Sequence, residues 1–128
     1  MALPKTAKLI ENAAEQPFIT LRNLYITFSK LVVEQLDYAE YVHLYIDDEK
    51  KQVYFQACER DKAAIPFYKK PEKGKQMVVR VTGKKNCLLL MELAGIEDCG
   101  KGIRFYGEFL PEDHAVVFDM SNGGGTGV

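Results

Sequence analysis

The chain has 128 residues, of which 47% are hydrophobic and 27% charged, and these values suit one globular domain with a buried core. Its formal net charge of −1 excludes a protein that binds nucleic acid through an overall excess of positive charge. Three cysteines without a CxxC spacing, and the lack of an apolar run long enough to span a membrane, predict free thiols and a cytoplasmic protein.

Residues 1–17 are predicted to form an N-terminal helix or arm. Leu9 and Ile10 would belong to the apolar stripe of such a helix, and Pro17 would end it, because proline cannot continue a helix. The alternative is a partly ordered tail that docks on the body of the protein.

Residues 18–58 are predicted to form a first unit, made of two short strands, a short helix and a hairpin. The predicted bounds are 18–22 and 25–28 for the strands, 30–36 for the helix, and 41–46 and 53–57 for the hairpin. Ser29 is a favourable N-cap for the helix. In the hairpin, Val42, Leu44 and Ile46 share one face, and this alternation fixes the register.

Residues 59–76 are predicted to be a basic linker, because prolines, a glycine and several lysines interrupt any regular pattern there. Ile65, Phe67 and Tyr68 are apolar enough to pin this linker to the body of the domain. A linker that was free in solvent would not need them.

Residues 77–120 are predicted to form a second unit, and residues 121–128 a flexible, glycine-rich tail. The unit has a strand over 77–81, a helix over 87–93, and a hairpin over 102–109 and 115–118. Asn86 is the expected N-cap of the helix and Gly95 its terminator.

The two units have the same order of elements, namely strand, helix and hairpin. We therefore predict a single α+β domain, a small β-barrel-like structure of two strand–helix–hairpin units with a pseudo-twofold repeat. The alternative is that the common order has no structural meaning, since many small α+β domains alternate in this way.

The first unit resembles the AbrB/MazE/SpoVT-like swapped-hairpin DNA-binding domains. The resemblance depends on Ile26-Thr-Phe-Ser-Lys30 at the position of the family's Ile-x-Ile-Pro-Lys, on Leu36-Asp-Tyr38 in place of Leu-Gly-Ile, and on the hairpin that follows. It implies a barrel completed by two equivalent halves, which here would be the two units of one chain. It also implies DNA binding, for which Arg22 and Lys30 are the basic residues in the matching region.

No pattern in the sequence predicts a catalytic centre, a metal site or a cofactor. Asp47, Asp48 and Glu49 lack the spacing of a calcium loop and suit a solvated hairpin tip. Cys87, near a predicted helix start, is either a thiol of lowered pKa or a buried core residue, and the leucines that follow it favour the second interpretation.

Positive charge is concentrated in residues 61–85, which hold eight basic and two acidic side chains. Such a segment is either a solvated linker or a surface that contacts phosphates. Together with the resemblance, it predicts a DNA-binding regulatory or accessory protein. The predicted contact residues are Arg22, Lys30, Lys69, Lys70, Lys73, Lys75, Arg80, Lys84 and Lys85. The alternative is a protein-interaction module, whose partner would be another protein or a second copy of the chain.

Overall fold

The computed structural model describes residue 6 and residues 16–121, so most of the predicted N-terminal helix or arm, and the tail beyond residue 121, lie outside the described residues. The strands are β1 (Phe18–Leu21), β2 (Tyr25–Phe28), β3 (Tyr41–Asp47), β4 (Gln52–Cys58), β5 (Ile65–Pro66), β6 (Val79–Thr82), β7 (Ile103–Leu110) and β8 (Ala115–Asp119). The helices are α1 (Lys30–Gln35) and α2 (Lys84–Ala94), and a single 3-10 turn covers Pro111–Asp113.

All eight strands belong to one antiparallel sheet, with the order β5-β3-β4-β8-β7-β1-β2-β6. The sheet curls into a nearly closed, barrel-like structure whose two ends are β5 and β6. This architecture confirms the predicted α+β class and the predicted barrel-like sheet.

The core fills the inside of the curled sheet, because alternate residues of each strand point inward. Ile19, Leu21 and Ile26 are fully buried in the part of the sheet that contains β1 and β2. The core continues through aromatic rings in edge-to-face contact. Centroid distances are 4.9 Å for Phe28–Phe55, 4.8 Å for Phe28–Phe67 and 6.1 Å for Phe55–Phe118.

Both helices depend on the sheet for their stability. α1 has six residues and is too short to persist alone, but it buries Val32 and Val33. α2 buries Cys87, Leu90, Met91 and Leu93. Gly95 ends α2 in the left-handed conformation, with φ of 71°, which confirms its predicted role as terminator. Neither helix of the described part of the chain has the length and apolar content needed to cross a bilayer.

α1 begins at Lys30, as predicted, but the structure corrects how both helices are capped. Ser29 occupies the N-cap position of α1, but its hydroxyl accepts a hydrogen bond from Phe18 N at 3.1 Å and makes no cap bond. α2 begins at Lys84, three residues before the predicted start, and its N-cap is Gly83. Asn86 therefore lies inside the first turn and does not cap the helix. β6 begins at Val79, two residues later than predicted.

The linker between β4 and β6 is held to the body, as its apolar residues predict. Phe67 N donates to Glu40 O at 2.8 Å, and the Phe67 ring packs on Phe28 in the core. The Tyr68 ring lies 5.2 Å from the ring of Tyr38. This linker also contains the short strand β5, which pairs with β3 and was not predicted.

Gly107 marks a close approach between β7 and β8. A Cβ at this position would lie 2.4 Å from Val117 O and 2.6 Å from Cδ1 of the buried Phe118 ring. The strands can pair here only because residue 107 has no side chain. The N–H of Gly107 also donates a hydrogen bond to Pro17 O at 2.8 Å.

Candidate nucleic-acid interface

Three of the four arginines in the sequence, Arg22, Arg80 and Arg104, lie on the outer surface formed by β6, β2, β1 and β7. We call this surface the arginine face. In each strand, the residues that alternate with the inward-pointing ones have side chains that point outward. The outward-pointing residues here are Arg80, Thr27, Thr20 and Arg104. The register pairs Arg80 with Thr27, Thr27 with Thr20, and Thr20 with Arg104. These four residues therefore form one row across four strands, with an arginine at each end.

Tyr25 brings two of the arginines together. The guanidinium carbon of Arg80 lies 4.9 Å from the centroid of the Tyr25 ring, and that of Arg22 lies 6.0 Å from it. Arg22 is placed by the turn after β1, where its N–H donates to Tyr25 O at 3.0 Å. Both distances allow a cation–π interaction, which holds each guanidinium in place without neutralising its charge.

Arg22 also depends on Gly102. A Cβ on Gly102 would lie 2.9 Å from the guanidinium carbon of Arg22 and 3.0 Å from Cγ2 of Thr20. Gly102 has φ of 80°, a conformation that glycine adopts without strain. The missing side chain thus gives Arg22 the space to lie along the backbone before β7, next to Thr20.

Arg104 lies on an aromatic ring at the other side of the face. Its guanidinium carbon is 3.9 Å from the centroid of Phe18, and its Nη1 is 3.5 Å from the hydroxyl oxygen of Tyr106. The rings of Phe18 and Tyr106 are themselves in edge-to-face contact at 5.8 Å. The buried Nε of Arg104 has no hydrogen-bond partner among the described residues.

None of these guanidiniums forms an ion pair with a carboxylate of the described residues. Among the described residues, the ion pairs are Lys30–Glu34 at 3.9 Å, Lys75–Glu72 at 3.1 Å and His43–Asp61 at 2.8 Å. The arginine face thus combines three cations that aromatic rings orient and that no described carboxylate neutralises.

Two carboxylates border the face. Asp98 accepts a hydrogen bond from Nδ2 of Asn23 at 2.9 Å, and this bond, with a second from Gly100 N, lowers the pKa of Asp98 below its ordinary value. Oδ1 of Asn23 in turn accepts from Cys99 N at 2.7 Å. Glu108 is exposed farther along β7, on the same side as Tyr106. These two carboxylates limit the face at its edges.

Of the nine predicted contact residues, the structure brings Arg22 and Arg80 together, and it distributes the lysines over other elements. Lys30 begins α1 and is partly neutralised by Glu34, as Lys75 is by Glu72. Lys69 and Lys70 line an open depression with Tyr41, Pro66, Tyr68 and the acidic Glu40. Lys73 is exposed in the segment between Lys70 and Lys75. Lys84 and Lys85 are exposed in the first turn of α2, just after β6.

Arg104 is not among the contact residues that the sequence predicts. It lies in a C-terminal part of the chain that is mainly acidic, and local charge density therefore gave no signal. The usable signal was the alternation of Arg104 and Tyr106 with buried Phe105, which places an arginine and a tyrosine on the same outer surface of a strand.

Burial raises the pKa of the three cysteine thiols. Cys87 lies in the first turn of α2, but it is fully buried, and burial raises the pKa of its thiol. Burial and the nearby Asp61 likewise raise the pKa of Cys58. Within the described residues, no group of three or more histidine, cysteine, aspartate or glutamate side chains is placed to hold a metal ion.

Comparison with known proteins does not place the chain in a family. No family model matches the chain, and no curated protein or solved structure is significantly similar to it. Any functional assignment therefore depends on the geometry of the site.

Proposed function

We propose that the protein binds DNA through the arginine face, as a regulatory or accessory protein of the AbrB-like type. The observation that carries this proposal is the set of three guanidiniums on one sheet surface, each within 6.0 Å of an aromatic centroid and none paired with a described carboxylate. Oriented guanidiniums suit phosphate oxygens, because the planar fork of donors can bind two of them at once.

The uneven distribution of charge favours the same interpretation. A protein of net charge −1 gains little from a uniform attraction to DNA, so binding must come from a local surface. Arg80 and the lysines at the start of α2 follow one another along the chain, and Lys30 lies where β2 leads into α1. These lysines would add long-range attraction around the arginine face, whereas the arginines would make the oriented contacts.

Strand pairing supports the AbrB-like part of the proposal, in which two units complete one barrel. The comparison counts β5, which lies in the predicted linker, with the second unit. If β1–β4 are then exchanged with β5–β8, the pairs β2–β6 and β4–β8 map onto themselves, β3–β4 maps onto β7–β8, and β1–β7 maps onto β5–β3. Only β1–β2 lacks a counterpart, because β5 has two residues and does not pair with β6. Each unit also has one helix between its second and third strands.

Fluorescence anisotropy with labelled DNA tests the proposal. Single-stranded and duplex probes are titrated with the protein at about 50 mM and about 200 mM salt, since phosphate contacts weaken steeply over this range. Arg22→Gln, Arg80→Gln and Arg104→Gln should each weaken binding by about fivefold, the loss expected for about 1 kcal/mol.

Arg60→Gln is the matched control for this titration, because Arg60 is exposed in the loop after β4 and lies outside the arginine face. Its affinity should equal that of the unmodified protein. If neither probe binds at low salt, the proposed function is wrong. If Arg60→Gln weakens binding as much as the other three changes, DNA does not bind at the arginine face.

A protein-interaction module is the second candidate function. It is favoured by an open, mainly apolar depression of about 310 Å³ on the opposite half of the sheet, lined by Tyr45, Tyr54, Gln56, Leu110, Asp113 and Ala115. Tyr45 is 51% exposed there. Tyrosine is common at protein interfaces, and size-exclusion chromatography with light scattering would show whether this surface joins two copies of the chain.

A further inference from the structure

The shape of the arginine face distinguishes between the forms of DNA that it can contact. The row from Arg80 to Arg104 crosses four strands, and three strand spacings amount to about 14 Å. The major groove of duplex DNA is about 12 Å wide and admits a helix or a two-stranded ribbon. A four-stranded outer surface is broader than this groove, so it cannot enter the groove as a helix or a two-stranded ribbon does.

The groups between the two ends of the row leave the surface low. Thr20 is only 5% exposed and Thr27 is half-buried, so neither side chain projects into solvent. The aromatic rings and guanidiniums on either side of the two threonines are larger than the threonine side chains. Among them, the Tyr106 side chain is 43% exposed. The surface is therefore a shallow strip with short side chains in the middle and flat groups along its borders.

Those flat groups are stacking partners for unpaired bases. Aromatic rings and guanidinium planes stack on any base, whatever its sequence, and such stacking is a main source of affinity in proteins that bind single strands. Bases inside a duplex are already stacked on one another, and their faces are closed to side chains. The exposed ring of Tyr106, which lies beside Arg104 and Phe18, could therefore stack on a base of a single strand but not on a base inside a duplex.

We propose that the arginine face takes single-stranded nucleic acid, with a base stacked on the exposed ring of Tyr106 and backbone phosphates bound by Arg22, Arg80 and Arg104. This inference rests on the proposed function and specifies the form of the ligand. It implies weak sequence preference, because no element of the face is shaped to read base edges in a groove.

The test compares a labelled 20-nucleotide strand of mixed, non-self-complementary sequence with the duplex of the same sequence, at equal salt. The single strand should bind at least about tenfold more tightly. Tyr106→Leu, which removes the ring but keeps an apolar side chain, should weaken single-strand binding by about five- to tenfold and leave duplex binding unchanged. Tyr45→Leu is the matched control, because Tyr45 is 51% exposed on the opposite half of the sheet, and it should leave the affinity for both probes unchanged.

The outcomes separate this inference from the proposed function. Duplex binding that equals or exceeds single-strand binding would overturn the inference and leave DNA binding in place. The same holds if Tyr106→Leu weakens both probes equally. Absence of binding to either probe at low salt would end both. The probe comparison uses the unmodified protein, so it stands even if a variant folds poorly, which circular dichroism would reveal.

Discussion

Arg104 shows how a single residue can keep its charge at a protein surface. Its guanidinium lies 3.9 Å from the centroid of Phe18, and the ring restricts its position without supplying a countercharge. An arginine held by a carboxylate would have to break that pair before it could bind a phosphate. Arginine on an aromatic ring is therefore ready for an anion, at a smaller cost in side-chain entropy.

Asp61 provides a prediction at the same scale. His43 Nε2 lies 2.8 Å from Oδ2 of Asp61, and this hydrogen bond is the main cause of the lowered pKa of Asp61, whose ordinary value is 3.8. A carboxyl whose pKa is lower in the folded state stabilises the protein above its unfolded pKa, and that stability is lost as the pH falls through the folded pKa. The contact ties the loop after β4 to β3.

We therefore expect Asp61→Asn to lower the free energy of unfolding at about pH 6, and the difference from the unmodified protein to vanish as the pH falls well below 3.8. Urea denaturation at several pH values measures both. Asp48→Asn, in the exposed β3–β4 turn, is the control and should change little. A difference that stays constant down to about pH 3 would show that the contact acts through something other than the charge of Asp61.

Among the elements, the linker between β4 and β6 determines where the lysines from Lys69 to Lys75 lie. Phe67 is 6% exposed, and its ring contacts Phe28, which in turn contacts Phe55. The anchor of a basic surface segment thus belongs to the central core, so the position of the segment depends on the stability of the barrel.

Phe67→Ala should lower the free energy of unfolding by about 3–5 kcal/mol, because it leaves a cavity beside the core ring of Phe28. Tyr68→Ala, the neighbouring control, removes one half-buried ring contact with Tyr38 and should cost about 1 kcal/mol. Urea denaturation of the two variants gives the comparison. A smaller loss for Phe67→Ala than for Tyr68→Ala would mean that the linker is held from outside the core.

The same elements show what the sequence could predict. Alternating residues identified β3 and β4 to within one residue at each end, and Gly95 marked the end of α2, because both signals are local. β5 was missed, since two residues that include Pro66 form a strand only through pairing with β3. α2 begins after Gly83, whose φ of 140° no local pattern indicates.

The candidate site was only half predictable for a related reason. Arg22 and Arg80 were predicted from their basic character, but their meeting on Tyr25 depends on the pairing of β2 with β6. Arg104 joins them only through the pairing of β1 with β7, which links residues more than 80 positions apart in sequence. Contacts of this kind arise from the closure of the whole sheet and leave no local trace.

At the scale of the whole molecule, the barrel collects onto one surface three of the four arginines that are dispersed along the chain. The lysines remain in the linker and at the helix starts, where two of them are partly neutralised by glutamates. The central claim is therefore that the arginines of the sheet, and not the more numerous lysines of the linker, make the main contacts with DNA.

The salt dependence of binding tests this claim most directly. We would measure the affinity for the single-stranded probe from about 50 to about 300 mM salt for two multiple variants, Arg22→Gln/Arg80→Gln/Arg104→Gln and Lys69→Gln/Lys70→Gln/Lys73→Gln/Lys75→Gln. The slope of log affinity against log salt changes by about 0.7 for each phosphate contact with a single strand. We predict that the slope becomes shallower by about 2 in the arginine variant and changes by less than about 1 in the lysine variant. A lysine variant that loses most of its salt dependence, beside an arginine variant that keeps it, would contradict the account.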